Sequence, residues 1–262
     1  METLFRSFNP SRCCLCNSKA ELTGEHKIKA AALKNEFGNQ KLQLLRSDNS
    51  LKQGLFVQST KSKHLKFKKS ICRKCNSSCT QAADIEFDRF RGLVEESLNK
   101  EDDLNAVFKQ KRYVENREAY LNVLRYFAKL LCCQAAAAQA PISKRVSRFA
   151  ISISDDNPIL VSIERDWEYQ QISHALGSCQ YASHGGFLVF GDPTSKALHR
   201  LHSSLTIGPI QYAYWMHLEP KEETELKCLH PRFYSQCQQV LESTGLPSSE
   251  VTERRVGFKR KF

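Results

Sequence analysis

The chain has 262 residues, 41% of them hydrophobic and 26% charged, the balance of a globular protein long enough for one large domain or two modest ones. No apolar run approaches the roughly 18 residues of a membrane span, and residues 1–10 lack the apolar core of a secretory signal, so a cytoplasmic protein is expected. In that compartment the eleven cysteines are expected to bind metal where they cluster rather than to form disulfides. The net charge of +11 is unevenly spread: residues 1–100 hold 19 Lys/Arg against 10 Asp/Glu, residues 101–252 hold 15 against 17, and the last ten hold 5 against 1. Positive fields confined to one end of the sequence suit a polyanion such as nucleic acid.

Three regions follow in chain order. Residues 1–100 are rich in cysteine and lysine, opened by Cys13-x-x-Cys16 and closed by Cys72-x-x-Cys75. Leu65, Phe67 and Ile71 fall at even spacings with Lys66 and Lys68 alternating with the first members, the pattern of a half-buried strand. Ile85, Phe87, Phe90, Leu93, Val94 and Leu98 then recur at helical spacing, predicting an amphipathic helix that begins near Asn76. Residues 101–148 read as helix and connector: Tyr120, Val123, Leu124, Phe127, Leu130 and Leu131 form an apolar stripe, Pro141 ends it, and the basic Lys144, Arg145 and Arg148 follow. Residues 149–262 read as mixed α and β. Phe149, Ile151 and Ile153 alternate, apolar runs lie at residues 159–163, 187–190 and 210–218, and a helix starts at Pro231 with Phe233, Cys237, Val240 and Leu241 on one face.

The chemistry-bearing residues lie in the first region. Two residues between cysteines let both thiolates reach one ion from a tight turn, and two such knuckles complete the tetrahedral shell of structural zinc. Cys13, Cys16, Cys72 and Cys75 are therefore assigned to zinc, with Cys14 the weaker alternative to Cys13. The intervening 55 residues must hold folded structure that the ion staples shut. Inside the staple, Glu25 directly precedes His26. A carboxylate is a hard ligand for Mg²⁺ and a near-neutral histidine is a natural base, the two requirements of phosphodiester hydrolysis. Asn76, immediately after the second knuckle, stands where a helix should start, either as an N-cap or as a second oxygen ligand. Between Asp48 and Asp84 the sequence has no acidic residue. Lys61, Lys63, Lys66, Lys68, Lys69, Arg73 and Lys74 lie in that stretch and are expected to contact nucleic-acid phosphates without reading sequence. The tail residues Arg254, Arg255, Lys259, Arg260 and Lys261 are either a second phosphate contact or a loose end. Trp167, Tyr169, Tyr181, Tyr212, Tyr214 and Trp215 are read as core, with base stacking as the alternative.

The order Cys-x-x-Cys, Glu-His, Cys-x-x-Cys-Asn, then Asp84 eight residues on, resembles the HNH endonuclease superfamily over residues 12–98, in its zinc-knuckle branch. The resemblance implies an α+β protein whose N-terminal zinc-stapled domain has the ββα-metal fold. It implies that Glu25 and Asn76 hold a catalytic Mg²⁺ or Mn²⁺, that His26 activates water, and that Asp84 supports the site. It also implies a DNA substrate, with RNA as the alternative, and a setting in antiphage defence, restriction or mobile elements. The chain departs from the family in the length of its Lys27–Ile71 loop. It departs again at Thr80, where many relatives carry a second histidine and which points to a single Mg²⁺-type ion. The family's middle asparagine could be Asn49, Asn35 or Asn39. The C-terminal region is expected to bind a protein partner, a second copy of the chain or DNA, or to act as a sensor.

Overall fold

A computed structural model of the chain describes residues 3–38, 42–44, 55–57, 59–60, 62–68, 70–176, 180–192 and 194–243. Its strands and helices run β1 (Phe5–Arg6), β2 (Leu22–Thr23), α1 (Ala30–Phe37), β3 (Leu42–Leu44), β4 (Leu55–Val57), β5 (Ile71–Cys72), α2 (Gln81–Asn99), α3 (Lys111–Glu115), α4 (Arg117–Ala137), β6 (Ile142–Ser143) and α5 (Lys144–Ala150). The order continues with β7 (Leu160–Arg165), α6 (Trp167–Leu176), β8 (Ala182–His184), β9 (Leu188–Gly191), β10 (Leu198–Ile207), β11 (Ile210–His217), α7 (Pro220–Leu229) and α8 (Pro231–Ser243). The expected mixture of helix and sheet is present. None of the described helices is long and apolar enough to cross a membrane.

The centre of the fold is α4. Asn116 caps it by accepting a hydrogen bond from the Ala119 N–H at 3.0 Å, satisfying one of the first-turn donors that a helix leaves open. Gln139 leaves the helix at φ 59°, and Pro141 follows. Almost the whole helix from Ala119 to Ala136 is buried. The stretch read as a connector therefore contains the most enclosed of the described helices. It packs on α2 and α5 and on the C-terminal sheet. Phe87 of α2 stacks on Tyr126 at 3.8 Å between ring centroids. Phe127 meets Phe87 edge-on and lies against Tyr212 and Tyr214 of β11. These rings are fully buried, so Tyr212 and Tyr214 belong to the core and not to a stacking surface. Each contributes apolar burial plus the geometric preference of aromatic pairs.

The C-terminal sheet is antiparallel throughout. Its order is β7-β11-β10-β8, and β9 pairs with the earlier part of β10. The helix at Pro231 forms with Phe233, Cys237 and Leu241 buried, as its spacing predicted. The alternating Phe149, Ile151 and Ile153 do not make a strand. Ser143 caps α5 through Val146 N–H, and Val146, Phe149 and Ala150 turn at helical spacing toward α4, leaving Ile153 59% exposed. The basic stretch at Lys144 is thus a helix, and Arg145 pairs with Glu219 and Glu222.

Two elements of the first region also differ from expectation. The helix predicted near Asn76 begins at Gln81, because Cys75–Cys79 forms a wide single turn first. On α2 the buried face is Phe87, Phe90 and Val94, whereas Ile85 is 55% exposed. The Leu65–Ile71 strand is interrupted. Leu65 closes a tight 3₁₀ turn, His26 and Lys66 pair singly, and regular pairing resumes where Leu22 faces Cys72.

His184, at the end of β8, ties the sheet to the rest. Its Nδ1 lies 3.3 Å from Gln134 Nε2 of α4 and 3.1 Å from the Gly185 carbonyl, and its ring faces Phe67. Burial, aided by the Lys27 charge, drives its pKa down to about 4. The folded protein holds His184 neutral while the unfolded chain protonates near the ordinary histidine value of about 6.5. Stability from this group is therefore complete above that value and is lost as pH falls toward 4. Between pH 6.5 and 4, urea unfolding should lose about 2–3 kcal/mol more in the wild type than in His184→Gln; equal losses would show that burial does not depress this imidazole.

Candidate functional site

Cys13, Cys16, Cys72 and Cys75 converge, with their sulfurs all within 4.8 Å of one another. The first knuckle turns because Asn17 adopts φ 62° and donates its N–H to the Cys13 carbonyl at 2.9 Å; asparagine tolerates that left-handed geometry better than most residues. In the second knuckle the Cys75 N–H points at Cys72 Sγ, 3.5 Å away. Cys16 Sγ stands 3.6 Å from Cys72 Sγ. A sulfur hydrogen bond from Cys75 holds Cys13 down to about 4, and the same contact pushes Cys75 up. Four thiols this close, in the two-knuckle pattern, could hold a metal such as zinc. Cys14 takes no part: it turns into the core, 4.0 Å from Cys133 Sγ.

The knuckles bring the two ends of the 55-residue excursion together, and β2 pairs with β5 beside them. The hairpin then continues toward His26. Glu25 O accepts from Phe67 N–H at 2.7 Å, and Lys27 N–H donates to Leu65 O at 2.9 Å. A Cβ on Gly24 would come within 2.9 Å of Phe67 O, so glycine is required where the strands cross most closely. After the second knuckle the chain enters α2, so this antiparallel pair, whose two segments are separated in sequence by α1, β3 and β4, is followed by a helix.

Glu25 points toward α4. Its Oε1 accepts from Lys129 Nζ at 2.9 Å, and the same ammonium donates to Asp84 Oδ1 at 2.5 Å. Lys129 is completely buried, with its Nζ 5.2 Å from the centre of the Tyr126 ring. Burial works against its charge, but the two carboxylates outweigh it and keep Lys129 protonated above the ordinary lysine range. Burial also raises Glu25 against the pull of Lys129. A second cation, Lys29, bonds the Asp84 carbonyl and the Asp88 carboxylate, each at 2.5 Å. Asp84 thus shares the Lys129 ammonium with Glu25.

Asn76 lies in the turn between knuckle and helix and donates from Nδ2 to Thr23 Oγ1 at 3.0 Å. It is not the helix cap, which falls at Thr80. Asn76 thus binds the same segment that carries Glu25 two residues further on. Lys129 engages Glu25 through Oε1, which leaves Oε2 outside the pair, and the Asn76 amide keeps Oδ1 as its acceptor end. Two oxygens of this kind fit a hard divalent ion.

His26 is half-buried. Its ring is hydrogen-bonded with the Thr60 backbone, and its Nε2 is buried with no hydrogen-bond partner among the described residues. Burial, followed by the charges of Lys66 and Lys129, holds its pKa below the usual value, so the imidazole is neutral at pH 7.

Of the basic residues, Lys63, Lys68, Arg73 and Lys74 are exposed and Lys66 is half-buried against His26. Arg73 has an exposed partner in Glu21 at 3.3 Å, a contact worth little. Lys61, Lys69 and the tail from Arg254 to Lys261 lie outside the described residues, as do Asn39 and Asn49; Asn35 is exposed on α1. Lys129 was not legible as a site residue, although it and Arg125 are the sole charged residues between Leu121 and Ala140. A lone charge in an apolar helix needs a distant partner, and that was the available signal.

Compared with known proteins, the chain matches no family model, no curated protein and no solved structure.

Elemental analysis of the purified chain should find one zinc per molecule. Cys72→Ser should abolish it and lower stability by on the order of 4 kcal/mol or more, whereas Cys14→Ser should retain the ion. Zinc lost in Cys14→Ser but kept in Cys72→Ser would reverse the ligand assignment.

Proposed function

We propose that the chain is a metal-dependent endonuclease of the HNH type that hydrolyses DNA phosphodiester bonds, with His26 as its general base. The observation that carries this reading is the condition of His26. One side of its ring is tied to the Thr60 backbone, Nε2 is buried with no hydrogen-bond partner among the described residues, and its pKa is held below the usual value. An imidazole fixed in this way, neutral at pH 7 and next to a carboxylate, is suited to accept a proton from water. The hairpin that presents it, the following helix, the clustered cysteines and the order of motifs all agree with a zinc-stapled ββα-metal domain.

Under this reading the ligands of an Mg²⁺ or Mn²⁺ ion are Glu25 and Asn76. Such an ion, when bound, stabilises charge on the scissile phosphate and on the leaving 3′ oxygen. His26 Nε2 takes the proton of the attacking water. Lys63, Lys66, Lys68 and Lys74 hold the phosphate backbone, a contact blind to sequence and to the choice between DNA and RNA. Residues 149–262 would bind a protein partner or a second copy, and antiphage defence, restriction or a mobile element is the proposed setting.

A second reading is a zinc-stabilised nucleic-acid binder without catalysis. The observation favouring it is the Lys129–Glu25 pair, which occupies one oxygen of the proposed ligand with an internal cation.

Plasmid cleavage decides between them. With Mg²⁺ or Mn²⁺ the wild type should nick or linearise the plasmid, and His26→Ala should cut about 100-fold more slowly or worse, while both bind DNA equally in EDTA. Tight binding without cleavage by either protein would favour the silent binder.

A further inference from the structure

The ion pair on α4 has a consequence for the proposed site. Lys129 Nζ stands directly between two carboxylates, 2.9 Å from Glu25 Oε1 and 2.5 Å from Asp84 Oδ1. It has no exposure to water, while the Glu25 and Asp84 side chains are 14% and 23% exposed. The ammonium thus enters from the protein interior, and the carboxylates reach it from the side nearer solvent. Two carboxylates at this separation attract any small cation strongly, and an ammonium in the gap satisfies them with a single charge and directed hydrogen bonds. Lys29 adds a further tether, through the Asp84 carbonyl and Asp88, and so fixes that stretch of α2 from its other side.

We propose that Lys129 is the positioning residue of this site, a built-in cation that fills the place between Glu25 and Asp84: it holds Asp84 Oδ1 while Thr80 Oγ1 donates to Asp84 Oδ2 at 3.4 Å, which keeps Asp84 out of a metal's coordination shell and leaves Glu25 Oε2 as the carboxylate oxygen for a divalent ion. This rests on the reading of Glu25 as a metal ligand. It accounts for two features together. Asp84 belongs to the site without needing to touch metal. The ion faces one carboxylate oxygen and the Asn76 amide, a sparse shell that suits a weakly held Mg²⁺-type ion completed by water and phosphate oxygens. The arrangement also links the site to the C-terminal sheet. Lys129 lies on the helix whose Phe127 packs against Tyr212 and Tyr214 and whose Gln134 bonds the Gly185 carbonyl, so a displacement of α4 would be felt at Glu25.

The test is Mn²⁺ binding by the full chain, followed by the loss of the free-ion signal in electron paramagnetic resonance. Lys129→Met removes the charge, and Lys129→Gln removes it while retaining a donor for the carboxylates, which protects against failure to fold. Both variants should keep their zinc and bind Mn²⁺ about tenfold or more tightly, since a like charge has left the site. Mn²⁺ should also raise their melting temperature more than it raises that of the wild type. Adding Asp84→Asn to Lys129→Gln should abolish the gain, and Lys129→Arg, which keeps the charge, should show none. Unchanged or weaker Mn²⁺ binding in Lys129→Gln overturns the proposal. Glu25→Gln in the otherwise wild-type chain tests the underlying assignment separately: Mn²⁺ affinity unaffected by that change overturns the role of Glu25, whereas the Lys129→Gln result speaks only to the lysine.

Discussion

The convergence of four sulfurs on one point is the constraint from which the N-terminal architecture follows. Residues 13–16 and 72–75 can meet within 4.8 Å only if the chain between them closes on itself. Closing a loop of that length costs conformational entropy that a metal tie can offset. Once the ends are joined, Leu22 falls opposite Cys72, and the strands run on to bring Glu25 opposite Phe67 and His26 opposite Lys66. Gly24 permits the close crossing. The second knuckle leads directly into the turn that holds Asn76 and then into α2, which carries Asp84. The positions of the candidate ligands and of the candidate base are thus consequences of one cross-link.

A second constraint comes from the opposite direction. α4 is buried on nearly all sides, yet it carries Arg125 and Lys129, at 1% and 0% exposure. Neither charge can be left without a partner in that environment. Arg125 draws Glu118 and Asp155, both at 2.5 Å, which anchors the segment after α5. Lys129 draws Glu25 and Asp84, which anchors the hairpin and α2. The two residues are one helical turn apart and reach to separate parts of the chain, so the central helix organises both ends through buried ion pairs as well as through its aromatic packing. Breaking one partner of such a pair is expected to cost more than the pair itself contributes.

Much of this was legible in the sequence where the pattern was local. The paired cysteines, the helix at Pro231 and the long apolar stripe of α4 were read from spacing alone, because ligand turns and helical faces repeat over a few residues. The adjacency of Asn76 to the hairpin was suggested by its place after the second knuckle. What was not legible depends on long-range placement. Nothing near Lys129 in sequence announces Glu25, more than a hundred residues away. Asn76 looked like a helix cap because the wide turn at Cys75–Cys79, which pushes the helix start to Gln81, leaves no mark in residue type. The alternation of Phe149, Ile151 and Ile153 imitated a strand until the Ser143 cap and the packing of Val146 and Phe149 on α4 decided for helix. Tyr212 and Tyr214, read as core, are core, because the sheet turns them onto Phe127.

Chemical rescue tests most directly whether His26 Nε2 takes a proton during phosphodiester cleavage, as proposed. Cleavage of plasmid DNA by His26→Ala would be followed with Mn²⁺ present while imidazole is added. The variant should be nearly inactive alone, and imidazole should restore metal-dependent cutting, more strongly at pH values where imidazole is unprotonated. A His26→Ala protein that cuts as fast as the wild type without imidazole would contradict that role.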